Sequence, residues 1–345
     1  MIRTNSPWIL IIVLLTLCSW GITFETYAAS GPTKVIIAYA ANNPRVAPLW
    51  ITEEQGFFAK YGIKAELLFI RNSALAIGAL ISKNIDISQA AGISALNVAG
   101  AEKGVDLKIV AAFNGRLTHD LVARPGIKSP NELRGKRLGV QVVGGSLWIT
   151  AMLALESLGL EPSRDDIRIL TIGDQTILSQ ALQTGVIDVA PLDGAFSQRL
   201  KKQGFPILAE LYRANIPTVS STVLVLNSYL QTHPVVVENL VKALIEGSAF
   251  TLSPENKPVV IRTIMRRLKI SDPSDAEEGY QGVLKATELK PYPSIEGMRN
   301  MQRFMKIQNP IIANVNVEHL IDDRLIKRLD ESGFIDQMKK VYRIR

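Results

Sequence analysis

Cysteine is almost missing from this 345-residue chain: the single one, Cys18, sits in an apolar N-terminal stretch. A mature chain starting after it has neither a disulfide nor a thiolate metal site. Histidine is nearly as scarce. His119, His233 and His319 are the full set, and no two stand at a metal-ligand spacing such as H-x-x-x-H. The sequence has no G-x-G-x-x-G, no P-loop, no G-x-S-x-G elbow and no H-E-x-x-H. That removes the usual sequence grounds for a dinucleotide, nucleotide, serine-hydrolase or zinc-protease site. No cofactor, metal or catalytic residue is expected. Beyond residue 28, no segment reaches the roughly 18 uninterrupted apolar residues that cross a bilayer.

Charge is lopsided without being patterned. Against 32 Asp and Glu stand 39 Lys and Arg, a net charge of +7. The densest basic runs are Arg134-Gly135-Lys136-Arg137, Arg266-Arg267 and Lys339-Lys340, and no aromatics interleave with them. Acidic partners are tolerated by such a surface, but nucleic acid is not expected among them. At the N-terminus, Arg3, the apolar run from Trp8 to Trp20 and the small residues around Thr26-Tyr27-Ala28 form the pattern of a cleavable signal peptide. The expected leader is 1–28, with export to the periplasm or the cell exterior. Two other readings stay open: a lipid anchor on Cys18, disfavoured by the bulky Leu17 before it, and an uncleaved anchor.

The hydrophobic fraction of 47% supports real cores, and the length suits two lobes. From residue 34, strand-like and helix-like runs alternate, the pattern of an α/β domain. Strands are expected over 35–39, 65–70, 85–89 and 107–113, with helices over 46–60, 73–82 and 94–102. A Pro-Gly turn at Pro125-Gly126 opens a second series, with strands over 137–141, 167–172, 187–191 and 207–211 and helices over 147–157, 175–183 and 194–203. The β-run 222–226 then returns the chain to the first sheet. Amphipathic helices follow over 235–250, 258–268, 276–287, 295–307 and 322–329. The expected first lobe is therefore discontinuous, 30–121 plus 223–345, around a second lobe of 122–222.

One unit occurs in both series: A-L-x-[S/T]-x-x-I-D-[I/V] at 79–87 and at 181–189, a helix end, a tight turn and a short buried strand. Its Asp86 and Asp188 read as acceptors for local backbone N–H groups rather than as acid–base groups. His119-Asp120 reads as a hinge or surface pair, because neighbours in an extended chain point to opposite faces. Asp165-Asp166, Glu277-Glu278 and Asp322-Asp323 read as solvated pairs at helix starts. Gly144-Gly145-Ser146, between a strand and a helix, is either a plain tight turn or a cradle of backbone N–H groups for an anion.

Three stretches together carry a family resemblance. Gln55-Gly56-Phe57-Phe58-Ala59-Lys60-Tyr61-Gly62-Ile63 is similar to the G-F-F-x-x-x-G-[L/I] run of the nitrate/sulfonate/taurine and thiamine-precursor binding proteins. The repeated A-L-x-[S/T] unit resembles their A-L-x-[S/T]-G-x-[I/V]-D-[I/V] segment, with Asn84 taken as the position where glycine is usual. Leu133-Arg134-Gly135-Lys136-Arg137-Leu138-Gly139-Val140 resembles their entry to the second lobe. The resemblance implies a type II periplasmic-binding fold, two α/β lobes joined by two crossing strands. It also implies an extracytoplasmic solute-binding protein of an ABC-type importer, with a small-molecule ligand, a permease in the inner membrane as partner, and a monomeric state. A ligand-sensing ectodomain and a periplasmic enzyme on the same fold are the alternatives. The cysteine-dependent chemistry of some eukaryotic relatives is not expected in a chain without cysteine after its leader.

In such sheets ligands sit at the carboxyl ends of strands, near helix N-termini. The candidate ligand-binding residues are therefore Asn42, Asn43, Arg71, Asn72, Ser73, Gly92, Ser94, Asn114, Gly144, Gly145, Ser146, Trp148, Asp174 and Asp193. The expected ligand is a small organic anion. Arg71 is its expected charge partner, since a guanidinium fork suits a carboxylate or sulfonate, and Trp148 is placed to stack on an aromatic body.

Overall fold

The two series of apolar runs fold as two five-stranded sheets. The computed structural model describes residues 31–71, 73–101 and 106–344. The expected leader with Cys18 and the site after Ala28, and the candidate Asn72, lie outside the described residues, as does the side chain of Ser73. The first four strands are β1 (Thr33–Tyr39), β2 (Ile63–Phe69), β3 (Ile87–Ala90) and β4 (Leu107–Arg116). Next come β5 (Asp120–Ala123), β6 (Arg137–Val140), β7 (Arg168–Thr171), β8 (Val189–Leu192) and β9 (Ile207–Glu210), and last β10 (Pro217–Leu226). The sheet orders are β2-β1-β3-β10-β4 and β7-β6-β8-β5-β9.

The return strand begins earlier than its apolar stretch suggests, at Pro217 rather than residue 222, and lies antiparallel between β3 and β4. Val223 stands opposite Gln89 on one side and Ala111 on the other. A strand inserted there must be apolar on both faces, and Val223, Leu224 and Val225 are fully buried. The two crossings between sheets are tied together. Leu117 N–H donates to the Ile216 carbonyl at 3.0 Å, and Leu211 N–H donates to the His119 carbonyl at 3.1 Å.

Helices cover the sheets: α1 (Ala47–Glu54), α2 (Phe57–Lys60), α3 (Ser73–Ile81) and α4 (Gly92–Ala101) in the first series. The second series supplies α5 (Ser146–Ser157), α6 (Gln175–Thr184), α7 (Gly194–Lys202) and α8 (Leu211–Ala214). After β10 follow α9 (Asn227–Thr232), α10 (Pro234–Leu252), α11 (Lys257–Leu268), α12 (Pro273–Ala286), α13 (Ile295–Gln308), α14 (Val317–Leu320), α15 (Arg324–Glu331) and α16 (Phe334–Val341). The helix expected over 46–60 is two helices, because Gly56 adopts a left-handed φ of +73° and turns the chain between them. The sequence pattern did not reveal α16, in which only Ile335 and Met338 are buried, too short a stripe for a period to stand out.

Two tertiary contacts matter for the site. On α10 the buried Glu246 accepts from Lys60 Nζ at 2.7 Å, Tyr61 Oη at 2.8 Å and Tyr342 Oη at 2.7 Å. Burial alone pushes that carboxyl up, but these donors outweigh it and hold it below the usual range. The charge therefore persists inside the fold and pins α2 and the C-terminal chain to α10. Helix α13 buries Met298, Met301 and Met305. It touches both series: Met298 fills the space above Gly92, and Phe304 meets the Trp148 ring edge-on, at 6.4 Å and 86°.

Candidate functional site

Where β1 ends, Asn43 takes an extended conformation and its side-chain carbonyl accepts from Arg45 N–H at 3.1 Å. Pro44 then starts a 3-10 turn, Pro44–Val46, that feeds α1. This turn aims Arg45 across to the second sheet. Its Nη2 lies 2.9 Å from His119 Nε2 and 3.2 Å from Asp193 Oδ2. Asp193 precedes α7, but its carboxylate does not cap that helix. Both ends of one side-chain amide grip it instead. Gln175 Nε2 donates to Asp193 Oδ2 at 3.0 Å, and Gln175 Oε1 accepts from Asp193 N–H at 2.7 Å.

An arginine has no acceptor, so its contact fixes the histidine tautomer: Nε2 of His119 accepts and Nδ1 carries the proton. That Nδ1 is buried without a hydrogen-bond partner. Burial, with the Arg45 charge adding to it, holds the His119 pKa well below the usual histidine value. The ring is neutral at physiological pH.

Beside Arg45 the first sheet holds a cavity lined by Gln89, Asn114, Ser221, Ser248 and Thr287 among apolar Leu49, Phe113 and Leu244. About 20 Å³ of it is open to the centre of a water molecule, room for about one or two waters. Two features set this place apart. Ser221 is held at φ +50° in β10, between the strand's two register shifts, a conformation costing roughly 1–3 kcal/mol and characteristic of functional positions. Ser248, 1% exposed, has a hydroxyl with no hydrogen-bond partner.

Ion pairs also join the two series away from the cavity lining. Arg199 of α7 pairs with Asp275 of α12 at 2.6 Å, and Lys202 pairs with Glu278 on the same two helices. Among the described residues no group of three or more His, Cys, Asp or Glu could hold a metal ion, and no helix is long and apolar enough to cross a membrane.

A family model described as NMT1/THI5 like matches residues 43–257. The chain belongs to the NMT1/THI5-like family. A protein of Brucella abortus (strain 2308), provisionally named a binding protein, is 26% identical over 272 residues, 76% of this chain and 81% of its own length. The periplasmic aliphatic sulphonate binding protein of Escherichia coli superposes with a TM-score of 0.68 at 16% identity, over 85% of this chain and 93% of its own. The periplasmic nitrate-binding protein of Synechocystis PCC 6803 gives 0.64 at 15% identity, over 88% and 90%. A desulfurization enzyme shares the architecture too, at a TM-score of 0.61 and 14% identity, over 87% and 99%. The fold is that of the periplasmic binding proteins.

In this NMT1/THI5-like chain three of the sequence candidates meet at Arg45: Asn43 shapes its turn, Asp193 accepts its hydrogen bond, and Asn114 lines the cavity beside it. Asn42 and Arg71 are exposed, the latter just beyond the edge strand β2. Ser73 starts α3. Other candidates serve the fold. Gly92 is closed over, since a Cβ there would lie 2.7 Å from Met298 Sδ, and Ser94 is buried beneath the same helix pair. Gly144 takes φ +80°, and a Cβ on Gly145 would lie 3.1 Å from the Val142 carbonyl, so this pair makes the tight turn. Ser146 is exposed at the start of α5. Asp174 is an exposed N-cap accepting from Thr176 and Ile177 N–H. Trp148 is 3% exposed and packs in the core against Phe304, which corrects the expectation that it offers a stacking face.

Four further readings need correction. His119 and Asp120 are buried rather than on the surface. The Asp120 pKa is raised by burial, which the Ser197 hydroxyl bonded to its carboxylate partly offsets. Asp165 is not solvated: it accepts from Arg164, Glu161 N–H and Arg134, which hold it well below the carboxylate range. Asp322 is likewise buried and bonded to Arg324. In the repeated unit the left-handed residue is Lys83, φ +60°, matching Gly185, φ +77°, and not Asn84.

Sequence reasoning missed Arg45, Gln89, Ser221, Ser248 and Thr287. An Asn-Pro turn at a strand's carboxyl end, followed by a lone cation, was the signal available for Arg45.

Proposed function

We propose that the protein is the extracytoplasmic solute-binding component of an ABC-type importer. It takes a small organic anion into the cleft between the sheets and hands it to a membrane permease. The supporting observation is Arg45. Among the described residues only Nη2 of its guanidinium is engaged, by His119 and Asp193, while the side chain also lines a cavity of neutral donors that includes the unpartnered Ser248 hydroxyl. The remaining N–H groups, on Nη1 and Nε, can each donate a charged hydrogen bond to a carboxylate or sulfonate. Membership of the NMT1/THI5-like family and the architecture shared with sulphonate- and nitrate-binding proteins support the same reading.

In this reading the lobes, expected over 30–121 with 223–345 and over 122–222, change over instead at the paired crossings near Leu117 and Ile216, so residues 119–121 go with the second lobe and residues 217–222 with the first, and the crossings are the hinge. The leader exports the chain, which works as a monomer. Arg45 is the leading charge partner and Arg71 a second cation on the rim. The test is a thermal-shift screen of alkyl sulfonates, carboxylates, nitrate and neutral aminopyrimidines. A ligand bound only by the folded state raises Tm, and the expected hits are anions whose effect is lost in Arg45→Ala. Stabilisation by neutral heterocycles alone, unchanged in Arg45→Ala, overturns the anion assignment.

A further inference from the structure

The chain Gln175–Asp193–Arg45 crosses from the second sheet to the first, and it ends on a guanidinium that is only half used. Arg45 Nη2 is shared between His119 Nε2 and Asp193 Oδ2. Among the described residues, Nε and Nη1 make no hydrogen bond or ion pair. The Arg45 side chain is 19% exposed and that of Asp193 is 11% exposed, so this ion pair is largely withdrawn from water, where a charged hydrogen bond is worth more than on the surface. Asp193 in turn is immobilised by the two-point amide clamp of Gln175.

We propose that Asp193, oriented by Gln175, is the positioning residue that couples solute capture to lobe closure. It holds Nη2 of Arg45 from the second lobe while a free N–H of Nη1 meets the solute in the first. This rests on the reading of the cavity as the solute site, and it names the device by which that site reports its occupancy. Solute and Asp193 act on one rigid fork from opposite sides. A solute that orders Nη1 also orders Nη2, because both sit on one planar guanidinium, and so favours the closed arrangement, the differential interaction that a ligand-driven shift needs. A lysine cannot replace this arginine, because an ammonium lacks a second edge in fixed geometry. Gln175 touches neither cavity nor solute and acts only by aiming Asp193.

The test is interlobe distance by double electron–electron resonance on the mature chain, which has no cysteine after residue 31. Spin labels go on Leu68→Cys and Val142→Cys, exposed positions near the carboxyl ends of β2 and β6. Without solute, the unsubstituted chain is expected to show a dominant short distance. Asp193→Ala lowers the closed-to-open ratio by roughly tenfold or more, the loss of one charged hydrogen-bond partner. Gln175→Ala lowers it by less, Asp193→Glu restores part of it, and Arg45→Lys does not rescue. Far-UV circular dichroism and the labelled chain's melting curve establish that each variant is folded. An unchanged distance distribution in Asp193→Ala, or an unsubstituted chain already open, overturns the proposal. Sodium methanesulfonate and sodium acetate form a separate arm. If neither shifts the distribution or Tm while Asp193→Ala still opens the lobes, the solute reading fails and the latch stands.

Discussion

Asp86 and Asp188 occupy the same place in the two halves and show how one unit serves two settings. Each aspartate exchanges bonds with the backbone of the neighbouring parallel strand. Asp86 Oδ2 accepts from Ile36 N–H at 2.8 Å, and Asp86 N–H donates to the Ile36 carbonyl at 3.0 Å. Asp188 does the same with Arg137, at 2.9 and 2.8 Å. Only the second half adds cations. The side chains of Arg137 and Arg124 reach Asp188, and the Arg137 hydrogen bond above all holds its pKa down at about 2. At the cleft the inequality runs the other way. The first half brings the cation and the cavity, and the second brings the anion Asp193 and the neutral His119. The halves share a folding unit and divide the chemistry.

Removing the first half's cation should have the largest effect. Arg45→Ala is expected to weaken anion binding by roughly tenfold to a hundredfold, the value of a charged hydrogen bond of about 1.5–3 kcal/mol. Calorimetry with a hit from the screen measures it. A loss below about twofold would assign the charge partner elsewhere, with Arg71 next in line.

Substituting the two repeated aspartates sharpens the structural half of the comparison. A carboxyl moved from about 3.9 in the unfolded chain to about 2 when folded contributes up to about 2.6 kcal/mol. Its folded pKa is depressed, so this stability is full above about pH 4 and disappears as pH falls through about 2. Asp188→Asn should therefore destabilise the protein by about 2 kcal/mol at pH 7. Asp86→Asn, which has no such cations to strand, should cost less. Urea melts of both variants decide, and equal losses would contradict the asymmetry.

His119 titrates in the same direction at a higher pH. Its folded pKa is lowered by burial and by Arg45, with Asp193 held on the same guanidinium nitrogen, so the unfolded chain binds the proton first. Its contribution is full above about pH 6.5 and is lost below it, at a slope of up to about 1.4 kcal/mol per pH unit. His119→Gln is expected to flatten the stability profile between pH 6.5 and 5. An unchanged slope would show that the ring is not kept neutral by the fold. The smallest effect is expected for Arg71→Ala, an exposed position: less than about twofold in affinity, again by calorimetry.

The alternation of strands and helices and the return of β10 to the first sheet were legible, because buried strands read as short apolar runs between turn residues. The repeated unit was legible as well, down to the role of its aspartates as backbone acceptors, although the donors are in a neighbouring strand rather than local. The site was only partly so. Asn43, Asn114 and Asp193 follow from the rule that ligands gather at strand carboxyl ends. Gly92 and Ser94 obey the same rule, yet Ser94 is buried and α13, encoded some 200 residues later, folds back and seals Gly92. Ser248 sits on an amphipathic helix that reads as core throughout, and only the packing of α10 against α1 leaves its hydroxyl facing a cavity. The charge on Asp165 looked solvated because Arg134 comes from 31 residues away, although Arg164 and the Glu161 N–H belong to its own turn.

Arg45 is the pivot of the proposal, with solute on its free Nη1 in the first half and Asp193 on Nη2 from the second. A crystal structure of the protein soaked or grown with its strongest thermal-shift hit tests this most directly. The expected result is an anionic group against Arg45 Nη1, with Asn114 and the Ser248 hydroxyl turned toward it and the Asp193 contact intact. An anionic group bound at Arg71, or at the Gly144-Gly145 turn, with Arg45 untouched, would contradict it.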